Sequence, residues 1–268
     1  MIDIPIMQLN LAFRDLYHAL KNYRIWYYFA WMEVKQRYRR SLLGPWWITL
    51  SMLIFIVAMG MVYSRLFKQD LADYIPFFTA GFLFWVFLSG CINEATEVFK
   101  NNSSFIKQLN LPYNLYICKH LARHTIFLAH NLLAYVLVMI VFRKMPDLDI
   151  LLVIPGFILL LLNVYWISLF ISLLSTRFRD MIPIVTSCMQ IAFFITPVTW
   201  MPKLLNPHSY IMKLNPFVYL IEVVRTPLLG IAPMPRFWLA NTLMLVLGFG
   251  FVMFLFSRYR TKIPFWVD

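Results

Sequence analysis

Six stretches free of any charged residue restrict this chain's fold more than any other feature. They run over residues 41–64, 74–93, 124–142, 150–176, 181–202 and 237–257, and the shortest holds 19 residues. A charge at the centre of a bilayer costs roughly 2.5–3.5 kcal/mol, and about 20 residues of helix cross the hydrocarbon. Each window is therefore expected to be a transmembrane helix, with spans at about 45–65, 74–97, 120–142, 150–175, 181–201 and 237–257. The hydrophobic share of 61% against 13% charged leaves too little polar surface to cover a soluble body of 268 residues. The expected fold is all-α: one polytopic membrane domain over 1–268 with six transmembrane helices. Cys91, Cys118 and Cys188 lie in apolar surroundings without CxxC spacing, so neither a disulfide framework nor a zinc ribbon is expected.

The formal net charge of +12 fits either nucleic acid or an anionic membrane surface, and the hydropathy selects the membrane. With six spans both ends of the chain lie on one side. Placing them in the cytoplasm puts 16 of the 24 basic residues inside, as the positive-inside rule requires. Residues 1–13 do not resemble a cleavable leader. Residues 9–35 are expected to form an amphipathic interface helix, with Phe13, Leu16, Leu20, Tyr23 and Tyr27 on one face and Arg14, Asp15, His18, Lys21 and Asn22 on the other.

The connection 203–236 is too apolar for water and too rich in proline for a span. Asn206-Pro207 and Asn215-Pro216 each place an N-cap residue before a proline at the first helical position. Short re-entrant helices are expected there, packed on protein rather than lipid.

Motifs for catalysis are missing. The chain has no GxxxxGK[ST] loop, no GxSxG, no HExxH and no GxGxxG after a strand, so no catalytic residue, metal or bound cofactor is assigned to it. His120 and His124 stand four apart on one helix face, as zinc ligands or as interfacial histidines. Glu94 and Glu97 sit near a helix C-terminus, where the macrodipole disfavours anions, so an arginine from the basic N-terminal segment is expected to compensate. A proton relay through these glutamates is the other reading. The most distinctive segment is Arg37-Tyr38-Arg39-Arg40-Ser41-Leu42-Leu43-Gly44-Pro45-Trp46-Trp47. Its arginine forks match phosphate oxygens, and its tryptophan faces suit headgroups and sugar rings alike; a plain positive-inside anchor accounts for the charge but not for the Gly-Pro break.

Together with Leu109-Asn110-Leu111-Pro112, Asn215-Pro216-Phe217, Ile221-Glu222 and Arg225, this segment gives a pattern that resembles the membrane subunit of polysaccharide-exporting ABC transporters, the O-antigen, capsule and teichoic-acid permeases. The resemblance runs over essentially the whole chain. It implies a homodimeric channel in the bacterial inner (cytoplasmic) membrane, two separate ATPase chains that carry ATP and Mg, and an undecaprenyl-type lipid-linked glycan, most simply O-antigen, as cargo. On that pattern Arg37, Arg39 and Arg40 would receive the lipid pyrophosphate. Residues 100–114, with Phe105, Ile106 and Lys107, would form a short helix coupling to the ATPase. Asn215, Pro216, Phe217, Glu222 and Arg225 would belong to a periplasmic gate. A sliding polymer would be held by aromatic rings, for which Trp46, Tyr63, Phe84, Trp85, Phe193 and Phe194 are candidates. Two alternatives stay open: an exporter of another lipid or small molecule, and a membrane enzyme acting on lipid-linked sugars through Glu94, Glu97, His120 and His124.

Overall fold

The structure is a computed structural model that describes residues 3–144, 147–204 and 210–267. Its helices, in chain order, are α1 (Asp3–Lys21), α2 (Tyr23–Arg37), α3 (Trp46–Leu66), α4 (Leu71–Ala95), α5 (Ser103–Gln108), α6 (Tyr113–Val141), α7 (Val153–Arg177), α8 (Met181–Ile195), α9 (Tyr210–Leu214), α10 (Pro216–Leu228), α11 (Pro235–Tyr259) and α12 (Ile263–Trp266). Short 3-10 turns precede α5, α7 and α12, and no strand occurs among the described residues.

Among the described residues, five helices are long and apolar enough to span a membrane: α3, α4, α6, α7 and α11. The fifth charge-free window supplies a shorter one. α8 has 15 residues, a rise of about 22 Å, because Thr196-Pro197 halts it at Ile195. The chain then continues through Thr196–Thr199 as buried, non-helical backbone.

α4 is the central post. Asp70 caps its start, the carboxylate accepting from Ala72 N at 3.1 Å. Of its most apolar stretch 72% is buried, against 28–39% for the other four long helices, because α3, α6, α7, α8 and α10 all pack around it. Tyr74 near its start donates to the Thr199 carbonyl, tying α4 to the segment after α8.

The expected single N-terminal helix is two. The Asn22 side chain donates to the His18 carbonyl at 2.9 Å, ending α1 at Lys21, and α2 resumes at Tyr23. α1 packs on α6 and α11, while Phe13, Tyr17 and Leu20 stay exposed. Asp15 departs from the expected polar face. It is buried, and its carboxylate accepts from Tyr113 N (3.1 Å), Asn114 N (3.0 Å) and Asn114 Nδ2 (2.8 Å), capping α6 from another helix. Burial pushes this carboxyl above its usual range, and the Asn114 and Tyr113 hydrogen bonds and the Arg260 charge oppose that.

In the connection before α11, Asn215 caps α10 through Phe217 N at 2.9 Å with Pro216 in the first turn, as the Asn-Pro pair predicts. Asn206-Pro207 lies outside the described residues. α10 packs among α4, α7 and α11. Its approach to α7 depends on Gly156, where an added Cβ would stand 2.6 Å from the Val223 carbonyl oxygen.

Candidate functional site

The functional candidates gather at the two ends of the bundle. At the basic end, α2 stops at Arg37 and the chain turns into the first span. Arg39 N bonds Gln36 O and Ser41 N bonds Tyr38 O, both at 3.1 Å, and the turn takes left-handed backbone at Arg40 (φ +69°) and Gly44 (φ +55°). Gly44 meets that demand freely, whereas Arg40 adopts it without glycine's freedom. Arg37, Arg39 and Arg40 are all exposed, with the Arg37 guanidinium 5.3 Å from the centre of the Phe127 ring. Trp46 and Trp47 open α3 and are 64% and 48% exposed, so cations and indoles form one outward rim. Trp46 also lines an apolar groove of about 430 Å³ with Leu50, Leu133 and Leu137.

Just inside this rim lies a charge network from three helices. Arg123 on α6 reaches Glu33 on α2 at 2.8 Å and also Glu94 on α4. Lys119, one turn earlier, bonds the same Glu33 at 2.5 Å and Asn102 Oδ1 at 2.6 Å. The partner of Glu94 is thus Arg123 with His124 Nε2 (3.2 Å), not an arginine of the N-terminal segment. That segment contributes the acid, Glu33, instead. Nothing local in the sequence signals this pairing, although Glu33 is the one acidic residue between Asp15 and Asp70.

The expected one-face placement of His120 and His124 is found, with ring centres 4.8 Å apart, but the rings are buried rather than at an interface. Cys91 joins them, and the potential ligand atoms of the three lie within 4.8 Å of one another. The His120 nitrogens and His124 Nε2 are engaged elsewhere. His120 Nε2 faces the Cys91 carbonyl oxygen at 2.9 Å and Nδ1 faces Arg123 Nη2 at 3.3 Å, which fits an Nε2–H tautomer bonded on both sides. A metal here would have to displace both bonds and sit beside a guanidinium. The arrangement ties α2 to α4 and α6, although Arg123 Nε is buried within it without a hydrogen-bond partner among the described residues.

Next to it, the segment expected at 100–114 contains α5. Phe105 is exposed on one side yet 6.0 Å from the Phe29 ring, Ile106 is buried, and Lys107 is exposed. α12 packs against this short helix.

The aromatic candidates divide. Trp46 and Phe194 face outward, at 64% and 67% exposure. Tyr63 and Phe193 are half-buried, Tyr63 stacked on Phe67 at 5.7 Å. Phe84 and Trp85 face inward because they lie on the central post: Phe84 packs toward Phe157, and Trp85 is held by Phe193 (5.5 Å) and Phe217 (5.8 Å). Both are buried in the core of the chain.

At the opposite end, Arg225 is the largest fully buried side chain among the described residues. It pairs with Glu222 one turn earlier, donates to the Pro197 carbonyl and stacks 4.3 Å over the Phe77 ring. Asn215 Nδ2 adds a bond to Thr196 Oγ1 at 2.9 Å. The buried Thr196–Thr199 segment is thereby clamped between α4 and α10, a feature the charge-free window concealed.

Residues 25–229 match the family model described as ABC-2 type transporter. The chain is 20% identical over 191 residues to an O-antigen export system permease protein RfbA of Klebsiella pneumoniae, an alignment covering 70% of this chain and 74% of the relative. A protein of the same name from Myxococcus xanthus is 19% identical over 192 residues, with the same coverage of each. The chain belongs to the ABC-2 type transporter family. It is a multi-pass membrane permease of a family that pairs with an ATPase subunit.

Proposed function

We propose that this chain is the channel-forming half of an ATP-driven exporter that carries a lipid-linked polysaccharide, O-antigen in the first instance, out of the cytoplasm across the bacterial inner membrane. Two copies would enclose the path and two ATPase chains would bind at the basic end, against α5 with Phe105, Ile106 and Lys107. Arg37, Arg39 and Arg40 would hold the pyrophosphate of an undecaprenyl-type lipid, and the whole chain would act as one permease domain. The observation that carries the reading is the exposed rim of three arginines directly followed by Trp46 and Trp47. Cations there suit a phosphate while the indoles suit the first sugars. The named function of the distant relatives supports the same cargo class.

Phosphate is a point of attachment, whereas the polymer behind it has to slide. Exposed Trp46 and Phe194 and half-buried Tyr63 and Phe193 would offer flat faces for that without fixing register. α10, with Asn215, Pro216, Phe217, Glu222 and Arg225, would then serve as the periplasmic gate. Its ionic pair would stiffen the part that moves as a unit.

Deleting the chain and locating the polymer tests the reading: lipid-linked glycan should accumulate in the cytoplasm, with none at the surface. Arg40→Ala should reduce export while the ATPase still co-purifies. Surface glycan unchanged by Arg40→Ala would remove that residue from the rim. Surface glycan unchanged by the deletion would reject export altogether.

A further inference from the structure

A second basic feature lies away from the arginine rim. Between α1, the α5–α6 connection and the turn after α11 is a cleft of about 700 Å³, within the roughly 300–1,000 Å³ typical of small-molecule sites. Its walls include Arg14 and His18 from α1, Lys107 from α5, Asn110 from the connection, and Arg260. The one acid among its lining residues is Asp15, whose carboxylate is already occupied by the start of α6.

Two of these cations, Arg14 and Arg260, are only partly matched by the protein itself. Arg14 donates through Nε to His18 at 3.3 Å and forms no ion pair among the described residues. Arg260 likewise has no ion pair among them, and its Nη1 is withdrawn from solvent with no hydrogen-bond partner among the described residues. A guanidinium N–H withdrawn from water and left unmet costs free energy, which a turn of the Arg260 side chain toward an anion in the cleft would recover.

α1 also sets the depth. Phe13, Tyr17 and Leu20 are exposed on a face of α1 turned away from the cleft, at 46%, 60% and 54%. Such a stripe suits the boundary between headgroups and acyl chains, a depth that would bring Arg14 and His18 to headgroup level.

We propose that this cleft binds the phosphate of an anionic phospholipid headgroup, held by Arg14 and Arg260, at a site separate from the rim before α3. The bound phosphate would fasten α1 to the start of α6 and to the end of α11.

The test uses the full chain in detergent, offered phosphatidylglycerol and phosphatidylcholine of identical acyl chains, with retained lipid counted by native mass spectrometry. Inorganic phosphate is titrated in parallel and followed by ³¹P NMR. The expected result is saturable retention of phosphatidylglycerol over phosphatidylcholine, weakened about fivefold by Arg14→Gln and again by Arg260→Gln. Saturable binding of inorganic phosphate with the same arginine dependence would support the phosphate chemistry and identify a free anion as its source. Equal retention of the two lipids with no phosphate binding, or phosphatidylglycerol retention unchanged in both variants, would overturn the proposal. Should either variant fail to fold, the headgroup comparison on the unaltered chain decides alone. Export plays no part in this readout, so its outcome is independent of the cargo.

Discussion

At one end of the bundle Arg225 pairs with Glu222 three residues earlier on the same helix; at the other, Arg123 joins Glu33 and Glu94 from two different helices. The first pair is almost wholly enclosed, with side chains 1% and 8% exposed. The second is wetter, at 21% for Arg123 and 33–41% for its acids. Enclosure makes the Arg225 pair costly to break, because a lone buried charge remains. Partial hydration makes the Arg123 network cheaper to break and easier to rearrange. A stiff clamp at the α10 end and an adjustable junction at the α2 end follow from that difference.

Arg225→Ala should be the most damaging change, leaving Glu222 unpaired and costing about 3–5 kcal/mol. Thermal unfolding in detergent should show it, and Glu222→Gln added to Arg225→Met should recover part of the loss. If Arg225→Ala unfolds no earlier than Arg123→Ala, the contrast between the two ends is lost.

Gly156→Ala probes the same end through packing. The new methyl would press on the Val223 carbonyl at 2.6 Å and should cost about 1–3 kcal/mol. Gly250→Ala, with nothing within 4 Å of the added carbon, should be neutral or slightly stabilising in the same assay.

Arg123→Ala should cost about 1–2 kcal/mol, reduced from the buried-pair value by solvent screening. A double-mutant cycle with Glu33→Gln should return a coupling of about 0.5–1 kcal/mol. Zero coupling would mean that α2 is not held through this contact.

The smallest effect expected is at Asp15. Its folded-state carboxyl is raised, so the folded chain binds that proton more tightly than the unfolded chain. Its contribution is therefore fully present below the unfolded value near 3.8 and is lost as pH rises through the folded one. Asp15→Asn should flatten the stability profile across that acidic window, and a steeper profile would contradict the assignment.

Legibility in the sequence tracks the same local-versus-distant contrast. The long spans follow from charge-free windows, and the α10 start follows from adjacent Asn215-Pro216. Glu222 and Arg225 are one turn apart, so their pairing is written into helix periodicity. Arg123 and Glu33 are 90 positions apart, and only the packing of α2 on α6 brings them together. The same holds for Asp15 at the start of α6. The α8 stop was obscured because Thr196-Pro197 carries no charge, while the break at Asn22 depends on one side-chain bond that periodicity does not reveal. Phe84 and Trp85 have the same composition signal as Trp46, and only the central position of α4 separates core rings from outward ones.

Purified chain reconstituted in liposomes with lipid-linked glycan, with and without its ATPase partner, tests the central claim most directly. Glycan should become accessible to a probe on the far side only when the partner and hydrolysable ATP are both present. Transfer or chemical modification of the glycan by this chain alone would contradict the account.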